Sequence, residues 1–266
     1  MIRPLAIILA AGKGKRMGSD LPKVLVPVGG RPMIHYVIDA VRAARIRQIL
    51  IVVGYRADLV RRELAGEAEV EFVEQAEQLG TGHAVMMCRR QIELQQGPVL
   101  ILAGDSPMVQ ASSLELLLAE FSTRRPACLL GTGKKPDPSG LGRVVRDDAG
   151  EFLGIVEEKD ATPDERAITE VNLSTYLFQS SALLLALQQL TASNVQGEYY
   201  LTDCPGVLKA AGQRVEALCV LQPREALSIN TPEELAAVEN EMNELRIADC
   251  GLRILNSPSD NPQSAI

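Results

Sequence analysis

The first residues able to do chemistry lie in one turn. A continuous apolar run, Leu5 to Ala11, ends in Gly12-Lys13-Gly14-Lys15-Arg16-Met17, and Leu21-Pro22-Lys23 follows shortly after. A glycine-rich turn leaving a strand can lay backbone N–H groups around a phosphate chain. Between Gly12 and Arg31 stand Lys13, Lys15, Arg16, Lys23 and Arg31 against Asp20, a local charge of +4 in a chain whose net charge is −7, leaving −11 elsewhere. A basic island in an acidic protein suits a small polyanion such as a nucleoside triphosphate; the bland alternative is a solvated loop of lysines.

Two familiar phosphate motifs do not fit this turn. The dinucleotide fingerprint needs a third glycine three residues after Gly14, but that position is Met17 and Gly18 comes one residue late. The second strand ends in Val53-Gly54-Tyr55, with no acidic residue to hold a ribose, which argues against a dehydrogenase. A P-loop would close on Gly-Lys-Ser/Thr, whereas Gly18 is followed by Ser19 and Asp20.

The elements that must position the turn follow from periodicity. Strand-length apolar runs at Leu5 to Ala11, Gln48 to Val53, Val70 to Val73, Val99 to Ala103, Cys128 to Gly131, Val171 to Phe178 and Val215 to Leu221 alternate with helical segments. The helices expected are Pro32 to Ala44, with Pro in the first turn, Ala57 to Ala65, Gly82 to Gln95, Ser112 to Arg124 and Ser180 to Leu190. Leu5 to Ala11 and Val99 to Ala103 are continuously apolar, the pattern of parallel strands buried on both faces, and ligands bind at the carboxyl ends of such strands. Arg143 to Arg146 and Phe152 to Val156, joined at Asp148-Ala149-Gly150, read as an inserted β-hairpin. Thr231-Pro-Glu-Glu opens a last helix running to about Arg246, and Ser257 to Ile266 reads as a polar, disordered tail.

Composition narrows the function. The 266 residues are 46% apolar, enough for a sizeable core, while a 3% aromatic share without Trp leaves no stacking platform for single-stranded nucleic acid. The acidic balance also argues against nucleic-acid binding, and the first apolar run is too short to span a membrane. Cys88, Cys128, Cys204, Cys219 and Cys250 lack paired spacing and read as buried, reduced thiols of a cytoplasmic protein. His35 and His83, without metal-ligand spacing, read as structural or helix-start residues.

Leu9 to Met17 followed by Leu21-Pro-Lys23 resembles the opening of the sugar-nucleotidyltransferase family, with Lys15 where that family usually has Thr or Ser. Further matching blocks come in order: Gln75-Ala-Glu-Gln-Leu-Gly80-Thr81-Gly-His-Ala, Gly104-Asp105-Ser-Pro, Gly140-Leu-Gly142-Arg143, Glu157-Glu-Lys-Asp-Ala161, Glu170-Val-Asn172, Gln196-Gly-Glu-Tyr-Tyr-Leu-Thr-Asp203 and Asn230. The set is most similar to the uridylyltransferase domain of bifunctional N-acetylglucosamine-1-phosphate uridylyltransferases. Those proteins also carry a β-helix acetyltransferase domain of hexapeptide repeats. No such repeat occurs here, so neither acetyl transfer nor the trimer it supports is carried over.

The resemblance implies a Rossmann-like three-layer α/β/α fold with a mixed, mostly parallel sheet and the inserted hairpin over the active site. Residues 1–230 would form the nucleotidyltransferase domain, and 231–266 a helix and tail. It implies Mg²⁺-dependent attack of a sugar 1-phosphate oxygen on the α-phosphorus of UTP, with no protein nucleophile. Arg16 and Lys23 would neutralise the triphosphate. Leu9, Ala10, Ala11, Gly12, Gly14, Gln75, Gly80 and Thr81 would hold the nucleotide, and Ala103, Gly104, Gly142, Glu157 and Asn172 the sugar. Asp105 and Asn230 would supply oxygens to Mg²⁺, although Asp105 could merely cap a turn and Asn230 start the last helix. The Gln75 amide can pair with a uracil edge, but flipped it would suit cytosine equally. The family's Glu-x-Asn-x-Gly pattern is broken by Ser174, near the sugar. The partners implied are UTP and a sugar 1-phosphate; a different sugar 1-phosphate, or a regulatory module that binds nucleotide sugars without turnover, remains open.

Overall fold

The computed structural model describes residues 3–14, 17–227 and 229–255, with 246–255 traced by backbone only. The strands and α-helices run β1 (Leu5–Ala10), β2 (Pro27–Val28), β3 (Arg31–Pro32), α1 (Met33–Ala43), β4 (Gln48–Val53), α2 (Ala57–Glu63), β5 (Val70–Glu74), α3 (Thr81–Met86) and α4 (Arg89–Leu94). They continue with β6 (Pro98–Ala103), α5 (Ala111–Arg124), β7 (Cys128–Lys134), β8 (Arg143–Arg146), β9 (Phe152–Val156), α6 (Pro163–Arg166), β10 (Glu170–Gln179), α7 (Ser180–Gln189), α8 (Cys204–Ala210), β11 (Val215–Cys219) and α9 (Pro232–Leu255).

The main sheet has the order β11-β7-β10-β6-β1-β4-β5, with the β8–β9 hairpin joined to β10. β1, β4, β5 and β6 run parallel, as do β7 and β11, while β10 is antiparallel to both β6 and β7. The sheet is therefore mixed and mostly parallel. Successive side chains on a strand face opposite sides, and both sides are covered here. Ala6, Ile8 and Ala10 pack with Ile34, Val37 and Val41 of α1, Val60 of α2 and Leu117 of α5. Leu5 and Ile7 pack on the other face with Val85 of α3, Ile92 of α4, Leu183 of α7 and Leu208 of α8. Ile7 and Ile8 are both wholly buried, and each contributes about 1.5–3 kcal/mol. A third cluster sets Val238 of α9 against Val28, Met33 and Ile229.

Some expected boundaries move. The helix expected over Gly82 to Gln95 divides into α3 and α4 at Met87–Cys88, where Cys88 N–H bonds Val85 O at 2.9 Å in a tighter turn. Its apolar spacing, Ala84, Val85, Cys88 and Ile92, runs straight through that turn and conceals it. Pro32 caps α1 rather than opening its first turn. α9 continues to Leu255, well past Arg246. The hairpin matches its expected limits. Asp147 Oδ1 closes its turn by accepting from Ala149 N at 3.0 Å and Glu151 N at 2.8 Å. Cys88, Cys128 and Cys204 are buried, and burial raises all three thiols, Cys88 to about 12. Cys219 is exposed, against expectation, because it ends the edge strand β11. The tail from Ser257 to Ile266 and the side chain of Cys250 lie outside the described residues.

Candidate active site

The glycine turn forms where β1 leaves the sheet. Leu9 O accepts from Gly104 N at 2.9 Å, and Ala11 O from Tyr55 N at 3.0 Å, tying the exit of β1 to those of β6 and β4. Gly14 has φ +67°, and a Cβ there would stand 2.9 Å from Lys23 Cβ, so only glycine lets the turn fold back onto Lys23. Lys23 N also bonds Gly12 O at 3.4 Å. Lys13 lies over the Tyr55 ring at 5.0 Å. Arg31 is drawn away to Asp39 at 2.5 Å and to the Tyr36 ring, so the basic island does not converge as a whole. Arg16 and Lys15 lie outside the described residues.

Lys23, Asp105 and Asn230 do converge. Lys23 Nζ pairs with Asp105 Oδ2 and donates to Asn230 Oδ1 at 2.6 Å. Asp105 follows the buried strand β6. Asn230 is placed by the start of α9, where Asn230 N and Thr231 N both donate to Glu234 Oε2, at 2.6 and 3.2 Å. Glu234 N returns a bond to Thr231 Oγ1 at 3.3 Å, completing the box. The helix-start reading of Asn230 is the one these bonds describe, while its side-chain oxygen faces the Lys23 ammonium. An acid oxygen and an amide oxygen on one positive charge are the hard donors Mg²⁺ takes, usually one or two from protein. Among the described residues no three His, Cys, Asp or Glu gather as a metal cluster.

Gln75, 3% exposed at the end of β5, donates from Nε2 to Gly80 O at 3.0 Å. Gly80 has φ +108°, and a Cβ there would lie 2.5 Å from Tyr199 O. Tyr199 holds this segment from the far side: its N–H bonds Leu79 O, and its carbonyl accepts from Gly82 N, both at 2.8 Å. Thr81 Oγ1 accepts from Leu201 N at 3.0 Å. The blocks around Gln75 and Tyr199 are thus one unit.

A second group gathers on the hairpin side. A Cβ on Gly142 would be 3.6 Å from Glu157 Oε2 and 3.7 Å from Asn172 Cβ, so these three line one place. Asn172 N bonds Gly142 O at 2.9 Å. Glu157 Oε1 accepts from Thr202 Oγ1 at 2.9 Å. Burial raises the Glu157 carboxyl, with Asp203 and Asp160 adding to the shift, and burial likewise raises Asp203. A cleft of about 160 Å³ lined by Ala103, Asp105, Asn172, Ser174 and Asn230 joins this group to the cation triangle. A larger hollow, about 490 Å³, lies at the amino ends of β1, β4 and β5, away from these groups.

Ser174 has φ +53° and sits where the β10–β7 register shifts, between Asn172 and Thr175. The left-handed region favours glycine, which gives the Glu-x-Asn-x-Gly pattern its physical basis. Ser174 N donates to Asn172 Oδ1 at 3.3 Å.

The family of MobA-like NTP transferase domains matches residues 6–200. This chain belongs to that family. Among curated proteins, it is 43% identical over 96% of its length to the bifunctional protein GlmU of Pelotomaculum thermopropionicum. It is 42% identical over 90% to the GlmU of Streptococcus pyogenes serotype M3 and 43% over 89% to that of Streptococcus gordonii. The chain spans 56%, 52% and 51% of those proteins, about half their length. A UDP-glucose pyrophosphorylase complexed with UDP-glucose superposes with TM-score 0.75 at 16% identity, covering 92% of this chain and 99% of that one. A putative glucose-1-phosphate thymidylyltransferase from Bacillus anthracis gives TM-score 0.73 at 19% identity, covering 89% and 94%. These structures share the fold of this MobA-like domain.

Sequence reasoning did not assign several groups that build the site of this MobA-like domain. Thr202 lies in a quoted block, but its bond to Glu157 joins residues 45 apart and shows only in the fold. Tyr176 is wholly buried, and burial raises its phenol, with the nearby Glu157 carboxylate adding to the shift. His83, read as a helix-start residue, has Nδ1 3.1 Å from Gln75 Nε2. The eight-residue spacing of Gln75 and His83 across a turn was the available signal.

Proposed function

We propose that this chain transfers a uridylyl group from UTP to N-acetylglucosamine 1-phosphate. A phosphate oxygen of the sugar attacks the α-phosphorus of UTP, the bond to the bridging oxygen breaks, and pyrophosphate leaves. Both reactants are anions, so holding them in line and neutralising charge is the main task of the protein. The observation that carries this reading is Lys23 Nζ held between Asp105 and Asn230 at the mouth of the glycine turn. The resemblance to uridylyltransferase domains across the ordered motif blocks supports the choice of nucleotide and sugar.

In this reading the turn from Leu9 to Gly14 lies along the triphosphate, and Lys23, with Arg16, balances its charge. Gln75, Gly80 and Thr81 face the base. Gly142, Glu157 and Asn172, with Ala103 and Gly104, face the sugar, where one carboxylate can take two neighbouring hydroxyls. Asp105 and Asn230 would hold Mg²⁺, which when bound withdraws charge from the phosphates. In this reading residues 1–230 carry the chemistry and 231–266 stand outside it. Among the described residues no helix is long and apolar enough to cross a membrane; a cytoplasmic enzyme fits the substrates. Ser174 at the cleft favours a second reading, a different sugar 1-phosphate.

Pyrophosphate release from UTP and Mg²⁺ with N-acetylglucosamine, glucosamine, glucose and N-acetylmuramic acid 1-phosphates tests both. Preference for N-acetylglucosamine 1-phosphate is expected, and preference for another sugar establishes the second reading. Silence with every sugar and every nucleoside triphosphate overturns catalysis in favour of a nucleotide-sugar-binding regulatory module.

A further inference from the structure

We infer that His83 is a positioning residue that locks the Gln75 amide so that it presents only a hydrogen-bond acceptor, selecting a uracil base over cytosine. The inference rests on the base-binding role proposed for Gln75.

An amide can flip, and its two orientations offer opposite edges. Here the neighbours decide. Gly80 O is an acceptor without a proton, so the atom 3.0 Å from it must be the amide nitrogen. A flip would set two carbonyl oxygens against each other. The same nitrogen lies 3.1 Å from His83 Nδ1. Its second proton therefore goes to that ring nitrogen, and these partners assign the imidazole proton to Nε2. Both Gln75 N–H groups are used, and Oε1 is the group left to meet a ligand.

The surroundings hold this arrangement. Gln75 is 3% exposed, its N–H bonds Val53 O at 2.8 Å, and its carbonyl accepts from Gln78 Nε2 at 3.0 Å. His83 lies in the first turn of α3, its ring centroid 6.3 Å from that of Tyr199, whose backbone grips Leu79 and Gly82. An acceptor-only amide complements the N3–H of uracil. It opposes the N3 lone pair of cytosine, which the flipped amide would satisfy. Without His83 the second amide proton loses its acceptor, and Gly80 O alone holds the orientation of the amide.

The test is nucleotide affinity, so it stands apart from turnover. Calorimetric titration of the full chain with UTP and with CTP compares the parent, His83→Phe, which keeps a ring without the acceptor, and His83→Asn, whose Oδ1 replaces Nδ1. The ratio of UTP to CTP affinity should fall about tenfold in His83→Phe, one hydrogen bond's worth, and stay within about threefold of the parent in His83→Asn. Should His83→Phe not fold by its melting curve, His83→Leu takes its place. An unchanged ratio in the acceptor-less variant, or equal weakening of both nucleotides in both variants, overturns the inference. Gln75→Ala separates the two layers. If it leaves the ratio intact, the base-binding reading itself fails; if it collapses the ratio while His83→Phe does not, only the role of His83 is lost.

Discussion

Lys23 Nζ lies 2.6 Å from Asn230 Oδ1, although 207 residues separate them in the chain, and Asp105 closes the same triangle. A lysine beside the glycine turn thus occupies the oxygens best suited to a divalent cation. In the proposed function Mg²⁺ takes these same oxygens, so lysine and metal would be alternatives at one carboxylate, and the lysine would turn from the acid towards a phosphate once the acid has another partner.

Replacing the lysine should separate its two roles. Lys23→Gln is expected to lower turnover by about 10²–10³, the scale of removing one preorganised charge from a reacting phosphate, while Mg²⁺ binds at least as tightly as in the parent. Steady-state rates and a Mg²⁺ titration by calorimetry measure both. Weaker Mg²⁺ binding would contradict the competition.

Asp105→Asn keeps an oxygen in place but removes its charge. The Mg²⁺ concentration for half-maximal activity should rise at least about tenfold, since hard cations depend on carboxylate charge, and Asn230→Ala should raise it less. Equal effects would mean that the two oxygens are interchangeable.

Ser174→Gly should stabilise the protein. A non-glycine residue in the left-handed region costs about 1–2 kcal/mol, and glycine gives back up to about 1 kcal/mol through unfolded-chain entropy. A net gain of about 0.5–1 kcal/mol, or about 2 °C in melting temperature, is expected. A lower melting temperature would show that the serine hydroxyl contributes more than its backbone conformation costs.

Glu157→Gln should act on both stability and the sugar. Burial lifts the Glu157 carboxyl above its usual 4.5. As pH rises from 4.5 to the raised value, the folded protein keeps a proton that the unfolded chain has lost, so stability falls across that window and stays lower above it. Glutamine removes this contribution. The variant should gain stability at pH 7, with the gain vanishing below pH 4.5, while Asp203, raised in the same sense, retains its own share. The Michaelis constant for sugar 1-phosphate should rise at least about tenfold, with that for UTP nearly unchanged. Equal rises for both substrates would remove Glu157 from the sugar side.

Most of the sheet was legible because its strands are continuous apolar runs or sit between clear turns. Ile7 and Ile8, buried on opposite faces, show why the first run does not alternate. The break at Cys88 was hidden because side-chain periodicity is blind to a tightened backbone turn. The glycine turn, Lys23, Asp105 and Asn230 could each be picked out, yet their meeting depends on strand order, which local pattern does not encode. Ser174 was visible as a departure from a motif, and its physical meaning became clear only with a positive φ.

The segment from Tyr199 to Thr202 grips Leu79, Gly82 and Thr81 at one end and Glu157 at the other. Four consecutive residues therefore belong to both residue groups. If the proposed function holds, redesign for a new sugar cannot be modular: a loop exchange that alters the grip on Glu157 also disturbs the segment from Leu79 to Gly82 beside Gln75, and the two preferences would have to be retuned together.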